Sequence, residues 1–259
     1  MTTAATASTP AQAPGKWETR LTPRMFAQVK QVGAPRWLDD ERVAYVQDHN
    51  GRADIYVTDT RGALPLLVTA DRAPTPLFSG GFGSGYAVSP DGGTLVYTSP
   101  EDGKLYAVSS EGGKARRLTD GDGGHGSPDY SPDGSRVAFI ADRAEQTAIA
   151  VADTEGDDWP RRVGRGPGVA TDPHWSPDGQ RLVYVEFDEE GYPWHHTRIK
   201  IAHLADGRGD VLVEWAGAST LLPRWSPDGS RIAFISDRSG WANLWLADAA
   251  SGARPAIRS

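Results

Sequence analysis

The sequence predicts an all-β protein, a β-propeller of about five four-stranded antiparallel blades, and three observations carry that reading. First, a Ser-Pro-Asp-Gly turn recurs with its aspartate at Asp91, Asp133, Asp178 and Asp228, at intervals of 42, 45 and 50 residues. That is the spacing of propeller blades. Second, the segments after each turn, such as "RIAFIS" from Arg231 to Ser236, are apolar on both faces. A sheet containing them must be covered on both sides. Third, the last segment of each unit carries arginines ("KARRLTD", "WPRRVGR", "GARPAIRS"), which suits an outer, solvent-facing edge where charge also discourages edge-to-edge association.

Taken in order, residues 1–20 are small, polar and Pro-containing and read as a disordered leader; without an apolar stretch they do not read as a signal peptide. Residues 21–33 read as a short helical entry segment, with Thr22 as N-cap and Pro23 at the first helical position, or as coil, since so short a run is marginal in isolation. The propeller is expected over 34–259, with blades at about 34–70, 85–120, 127–165, 172–215 and 222–259. Blade 1 is a degenerate copy in which Trp37 matches Trp175 and Trp225, and Asp40 stands 51 residues before Asp91. Within blade 5, strands are expected at Pro223 to Ser226, Arg231 to Ser236, Asn243 to Ala247 and Ala253 to Ser259. Proline presets φ, aspartate bonds its own backbone and glycine accepts a positive φ, so Ser-Pro-Asp-Gly closes the first hairpin. "DRSG", "DHNG" and "EDG" close the second.

Composition excludes several functions. The 259 residues contain no cysteine, so disulfides, thiolate metal sites and a cysteine nucleophile are ruled out. A net charge of −7 without a clustered basic surface argues against nucleic acid. No segment reads as membrane-spanning.

The sequence Trp-Ser-Pro-Asp-Gly, an apolar strand, Asp-Arg-x-Gly and then "LWLAD" resembles the Pro-Asp propeller repeat. That repeat is shared by the Tol-Pal translocation propeller and by the N-terminal propeller of prolyl-oligopeptidase-family serine peptidases, especially the acylaminoacyl-peptidase branch. The resemblance covers about residues 34–259, and the entry segment favours the peptidase branch. It implies a cytoplasmic module that covers a hydrolase domain and takes peptides as its partners. Catalysis in that family belongs to a separate α/β-hydrolase domain with a Gly-x-Ser-x-Gly elbow, and this sequence has none. "GFGSGY" puts Ser84 between adjacent glycines and reads as a loop. Propellers of those peptidases usually have seven or eight blades. Five therefore imply a fragment, a truncated product or a contracted stand-alone propeller, with a protein-binding propeller as the alternative role.

No residue is assigned a catalytic, cofactor or metal role. His174, His195, His196 and His203 are of a residue type that binds metal, but His195 and His196 are adjacent and face opposite ways on a strand, and His174 is expected in another blade. "TDGDGGHG" at 119–126 lacks the acids of a calcium loop. Dipeptidyl-peptidase relatives use a Glu pair in the propeller to bind a substrate amino terminus; here Asp188, Glu189 and Glu190 occupy the hairpin position filled elsewhere by Asp-Arg-Ser-Gly and read as a solvated loop. Asp129 and Asp172 precede inner strands and are the one pair that could act as glycosidase acid and base, at unequal offsets. The turn aspartates are explained by backbone geometry, and Trp37, Trp175 and Trp225 by blade packing. Five blades either close on one another or leave two apolar faces bare through Val43, Tyr45, Ile232 and Phe234, so self-association through the terminal blades is expected.

Overall fold

The computed structural model describes residues 31–49, 52–74, 85–143, 146–155, 159–164, 166–188 and 196–251. Among them there is no helix, and nineteen strands form five antiparallel sheets. Blade 1 contains β1 (Gln31–Trp37), β2 (Arg42–His49), β3 (Arg52–Asp59) and β4 (Leu66–Leu67). Blade 2 contains β5 (Tyr86–Val88), β6 (Thr94–Ser99), β7 (Lys104–Ser109) and β8 (Arg116–Arg117). Blade 3 contains β9 (His125–Tyr130), β10 (Arg136–Arg143), β11 (Gln146–Asp153) and β12 (Arg161–Val163). Blade 4 contains β13 (Val169–Trp175), β14 (Arg181–Phe187), β15 (Thr197–His203) and β16 (Gly209–Glu214). Blade 5 contains β17 (Thr220–Trp225), β18 (Arg231–Ser236) and β19 (Asn243–Asp248). The expected last strand, Ala253 to Ser259, lies outside the described residues. So do residues 21–30 of the expected helical segment; residues 31–33 are not helical but open β1, paired with β2 from Gln31↔Asp48 to Gly33↔Val46.

Each sheet follows chain order from first to last strand, and the first strands of successive blades lie beside one another from β5 through β9 and β13 to β17. They form the inner edge. The second strands show how blades stack. On one face stand Leu95 and Tyr97 of β6, Val137 and Phe139 of β10, Leu182 and Tyr184 of β14, and Ile232 and Phe234 of β18. Each of these pairs packs against the opposite face of the preceding blade, formed by Ala44 and Val46, by Val96, by Ala138, and by Val183 respectively. Four apolar cores therefore join five blades, and none among the described residues joins blade 5 to blade 1. Ile232 and Phe234 accordingly belong to the seam with blade 4 and are not available for ring closure, contrary to expectation; the other face of blade 5 carries Ile235 and Leu244, which no described core covers. Burying a side chain of this size contributes roughly 1.5–3 kcal/mol.

The Ser-Pro-Asp-Gly turns have a second duty. In blade 3, Ser131 Oγ donates to Asp133 Oδ1 at 2.6 Å, the Ser135 N–H donates to the same oxygen at 3.1 Å, and the Arg136 N–H donates to Ser131 Oγ at 2.9 Å. Blades 2, 4 and 5 repeat the arrangement around Asp91, Asp178 and Asp228. The hydrogen bonds from Ser131 and Ser135 hold the Asp133 carboxyl at about 2. Gly134, at φ +73°, lies against Pro90 of the preceding turn, as Gly179 lies against Pro132 and Gly229 against Pro177. A Cβ at Gly92 would stand 2.2 Å from the Leu38 carbonyl oxygen, so glycine is needed there for both conformation and contact. In blade 1 the turn is one residue shorter, and the capping carboxylate is Asp39, not the expected Asp40: it accepts from the Glu41 and Arg42 N–H groups at 2.9 and 2.8 Å.

The three matched tryptophans differ. Trp175 is 6% exposed, Trp225 is half-buried and Trp37 is 64% exposed. The Trp175 indole N–H donates to the Asp129 carbonyl of blade 3 at 3.0 Å and that of Trp225 to the His174 carbonyl of blade 4 at 3.1 Å. Trp37 has no described blade before it. At dilute concentration, urea unfolding should show Trp175→Ala costing about 3–5 kcal/mol and Trp37→Ala staying within about 0.5 kcal/mol. Equal costs would remove the ordered stacking of blades.

Candidate functional site at the inner edge

Four inner strands share a local backbone. Ala34, Ser127, Asp172 and Leu222 have φ of 51°, 48°, 53° and 53°, and each sits in a β-bulge where the register of the first strand shifts against the second. Each precedes a proline: Pro35, Pro128, Pro173 or Pro223. Residues before proline are normally extended, and a non-glycine residue in this region stores on the order of 1–3 kcal/mol. The bulge re-aims the next residue, which is Arg36, Asp129, His174 or Arg224.

Three of these meet. The His174 Nδ1 lies 3.5 Å from Asp129 Oδ2 and its Nε2 lies 3.0 Å from Asp172 Oδ1. Arg224 Nη1 donates to Asp172 Oδ2 at 2.9 Å, and the Trp175 N–H donates to Asp129 Oδ2 at 2.9 Å. The order Asp129, His174, Asp172, Arg224 crosses blades 3, 4 and 5 with two positive and two negative groups. Burial disfavours the imidazolium, but hydrogen bonds to Asp129 and Asp172 outweigh it and raise the His174 pKa to about 9. Burial raises Asp172 in turn, yet the His174 and Arg224 bonds hold it below its ordinary value.

Asp129 and Asp172 are thus brought together, but around an imidazolium and not around an open substrate position. A glycosidase needs one carboxyl kept protonated and both facing the sugar; the Asp172 side chain is only 2% exposed and its carboxyl is ionised. The arrangement can clasp three blades, and it offers no general base or nucleophile. His174 on β13 and His203 on β15 stand in one sheet, with His196 directly before β15, and not in separate blades as expected. Arg224 was missed. The signal was present as the quartets Ala-Pro-Arg-Trp, Ser-Pro-Asp-Tyr, Asp-Pro-His-Trp and Leu-Pro-Arg-Trp, which mark the bulge and the position it presents.

A second cluster, also missed, lies at the far end of β14 and β15. Glu186, 1% exposed, accepts from Lys200 Nζ at 3.0 Å, and Arg198 pairs with Glu186, Asp188 and Glu214. His196 lies 3.4 Å from Asp188 and 3.5 Å from Glu214; at the opposite end of β15, His203 lies 3.1 Å from Asp210. Asp188 is therefore neutralised by neighbours; Glu189, Glu190, His195 and Ser84 lie outside the described residues. In 119–126, Thr119 and Gly123 face His125 and Lys104. Among the described residues no group of three or more His, Asp or Glu is placed to hold a metal ion, and no helix is long and apolar enough to cross a membrane.

Sheets in stacked order, Pro-Asp turns that contact one another and a bulged inner strand define a β-propeller of the Pro-Asp repeat class. The chain belongs to the TolB beta propeller domain family, which matches residues 24–161 and 144–259. Among curated proteins none matches in sequence. Among solved structures, a puromycin-hydrolyzing peptidase of Mycobacterium tuberculosis superposes with a TM-score of 0.79 at 20% identity, over 95% of this chain and 40% of that one. A puromycin hydrolase gives 0.75 at 24% identity, over 93% and 41%. TolB of Acinetobacter baumannii gives 0.64 at 20% identity, over 86% and 53%. These likenesses are of fold. The chain spans about half of that TolB and about two-fifths of each of the two peptidases.

The clasp makes stability depend on pH. Because the folded-state pKa of His174 lies above its ordinary 6.5, its contribution is complete below 6.5 and is lost as pH rises through about 9. The rise corresponds to on the order of 3 kcal/mol. The melting temperature of the wild type should therefore fall between pH 6.5 and 9, and that of His174→Gln should be nearly flat over the same window. Parallel profiles would remove the charge clasp.

Proposed function

We propose that this chain is the non-catalytic propeller module of a prolyl-oligopeptidase-type serine peptidase, acylaminoacyl-peptidase-like, and that it works in the cytoplasm. It covers a hydrolase domain and admits short or unstructured peptides. The observation that carries this reading is the superposition of 93–95% of the chain on two-fifths of two peptidases, together with an inner edge at which Asp129, His174, Asp172 and Arg224 are committed to one another. Size exclusion is the physical basis: blades stacked through four apolar cores form a stiff wall, and a folded protein cannot pass an opening that an extended strand can.

Two measurements test it. The purified chain should hydrolyse no acyl-aminoacyl, prolyl or dipeptidyl chromogenic substrate, and turnover lost on serine-directed inhibition would overturn the non-catalytic reading. Sequencing the transcript beyond Ser259 should reveal an in-frame Gly-x-Ser-x-Gly elbow followed by Asp and His. A stop codon at that point would assign the chain to a stand-alone binding propeller instead.

A further inference from the structure

We propose that the groove between blades 2 and 3 is a receptor for the guanidinium of an arginine side chain carried by a second polypeptide. The other blades show what such a place holds. Their second strands open on Arg42, Arg136, Arg181 and Arg231, each three residues after the capping aspartate of its turn, whereas β6 opens on Thr94, three residues after Asp91. The arginine has two kinds of partner. It pairs with its own turn, as Arg42 Nε does with Asp39 Oδ2 at 2.7 Å and Arg181 Nη2 with Asp178 Oδ2 at 3.5 Å. It also crosses the seam to the aromatic residue before the next turn: Arg136 Cζ lies 4.8 Å from the Trp175 ring centroid and Arg181 Cζ 4.7 Å from that of Trp225.

Between blades 2 and 3 both partners are present and the arginine is not. Tyr130 holds the place of Trp175 and Trp225, Thr94 has neither the length nor the charge to cover it, and among the described residues no cation pairs with Asp91. What remains is a groove of about 320 Å³ bounded by Asp91 and Thr94 on blade 2 and by Tyr130, Asp133 and Glu155 on blade 3. The Ser89 hydroxyl and the Gly93 N–H both donate to Asp91 Oδ1 and hold the carboxyl below its ordinary range, while Oδ2 accepts no hydrogen bond among the described residues. Arg116 also lines the groove, but it donates to the Thr154 and Glu155 carbonyls at 2.6 and 2.9 Å. Three acids therefore face one engaged base. A cation that stacks flat on a tyrosine ring while donating to a carboxylate is a guanidinium; an ammonium matches the charge but not the plane. The site does not depend on the peptidase reading, being built from two neighbouring blades alone.

The probe is N-acetyl-arginine amide, whose only charge is on its side chain, titrated into the isotope-labelled 259-residue chain and followed by amide chemical shifts. Saturable shifts should appear at the β5–β6 and β9–β10 turns and weaken with added salt. Capped citrulline, of the same shape without the charge, should give none, and capped lysine should bind more weakly. Thr94→Arg restores the internal side chain and should abolish probe binding while raising the melting temperature. Tyr130→Leu should weaken binding roughly 2- to 30-fold, the span of a cation–π contact. Melting curves check that each variant folds, and Glu155→Gln, on an exposed side chain, should also weaken binding and serves if either of the others does not fold. A wild type without saturable shifts, citrulline or lysine binding as tightly as arginine, or variants that bind the probe as the wild type does would each overturn the proposal.

Discussion

A strand such as Arg136–Arg143 places Val137 and Phe139 on one side and Ala138 and Ile140 on the other, and neither set can face water without losing most of what folding gains. Every other feature of the molecule answers to this two-sidedness. A sheet buried on both faces needs two neighbours, which makes stacking obligatory and repetition the simplest way to supply it. Many of the charged residues lie on the last strand, where Arg116 and Arg117 are both exposed, and in the turns; those kept inside, such as Glu186 and Lys200, are paired. Contacts run between adjacent blades, so each core is shared by two sheets and owned by neither.

Polar groups are placed where this stacking leaves room. At the inner edge the sheets converge, and the side chains aimed there from blades 3, 4 and 5 are ionic. Their burial is tolerated because the charges balance and each carboxylate is hydrogen-bonded. His125, between blades 2 and 3, shows the opposite solution: burial, with the nearby Lys104 and Arg117, lowers its pKa to about 4, and it stays neutral while bonding Thr119 Oγ1 at 2.7 Å. One histidine is kept charged by acids and the other is kept uncharged first by burial and then by nearby cations, within the same architecture.

Most of the fold was legible because it is periodic. The turn spacing, the two-sided second strands and the arginine edges each follow from local rules, and β18 was expected at its observed limits, Arg231 to Ser236. Blade 1 was aligned on Asp40 because nothing local distinguishes it from Asp39; only the hydrogen bonds to Glu41 and Arg42 do. The two faces of blade 5 were exchanged because alternation tells which residues share a face but not which face meets the preceding blade. The inner-edge cluster was half legible. Asp129 and Asp172 were singled out by position, whereas their joint capture of His174 depends on a bulge that moves the register by one residue, and spacing alone does not disclose such a shift.

The bulge also divides the molecule's labour. Its backbone is the same in four blades, with one residue at φ near +50° followed by proline, while the residue after proline is arginine, aspartate, histidine and arginine in turn. The frame does not depend on which side chain it presents. A duplicated blade therefore arrives with a vacant display position already aimed inward, and the chemistry of the inner edge can be rewritten by single exchanges without moving a strand, so long as the charges drawn into it continue to cancel.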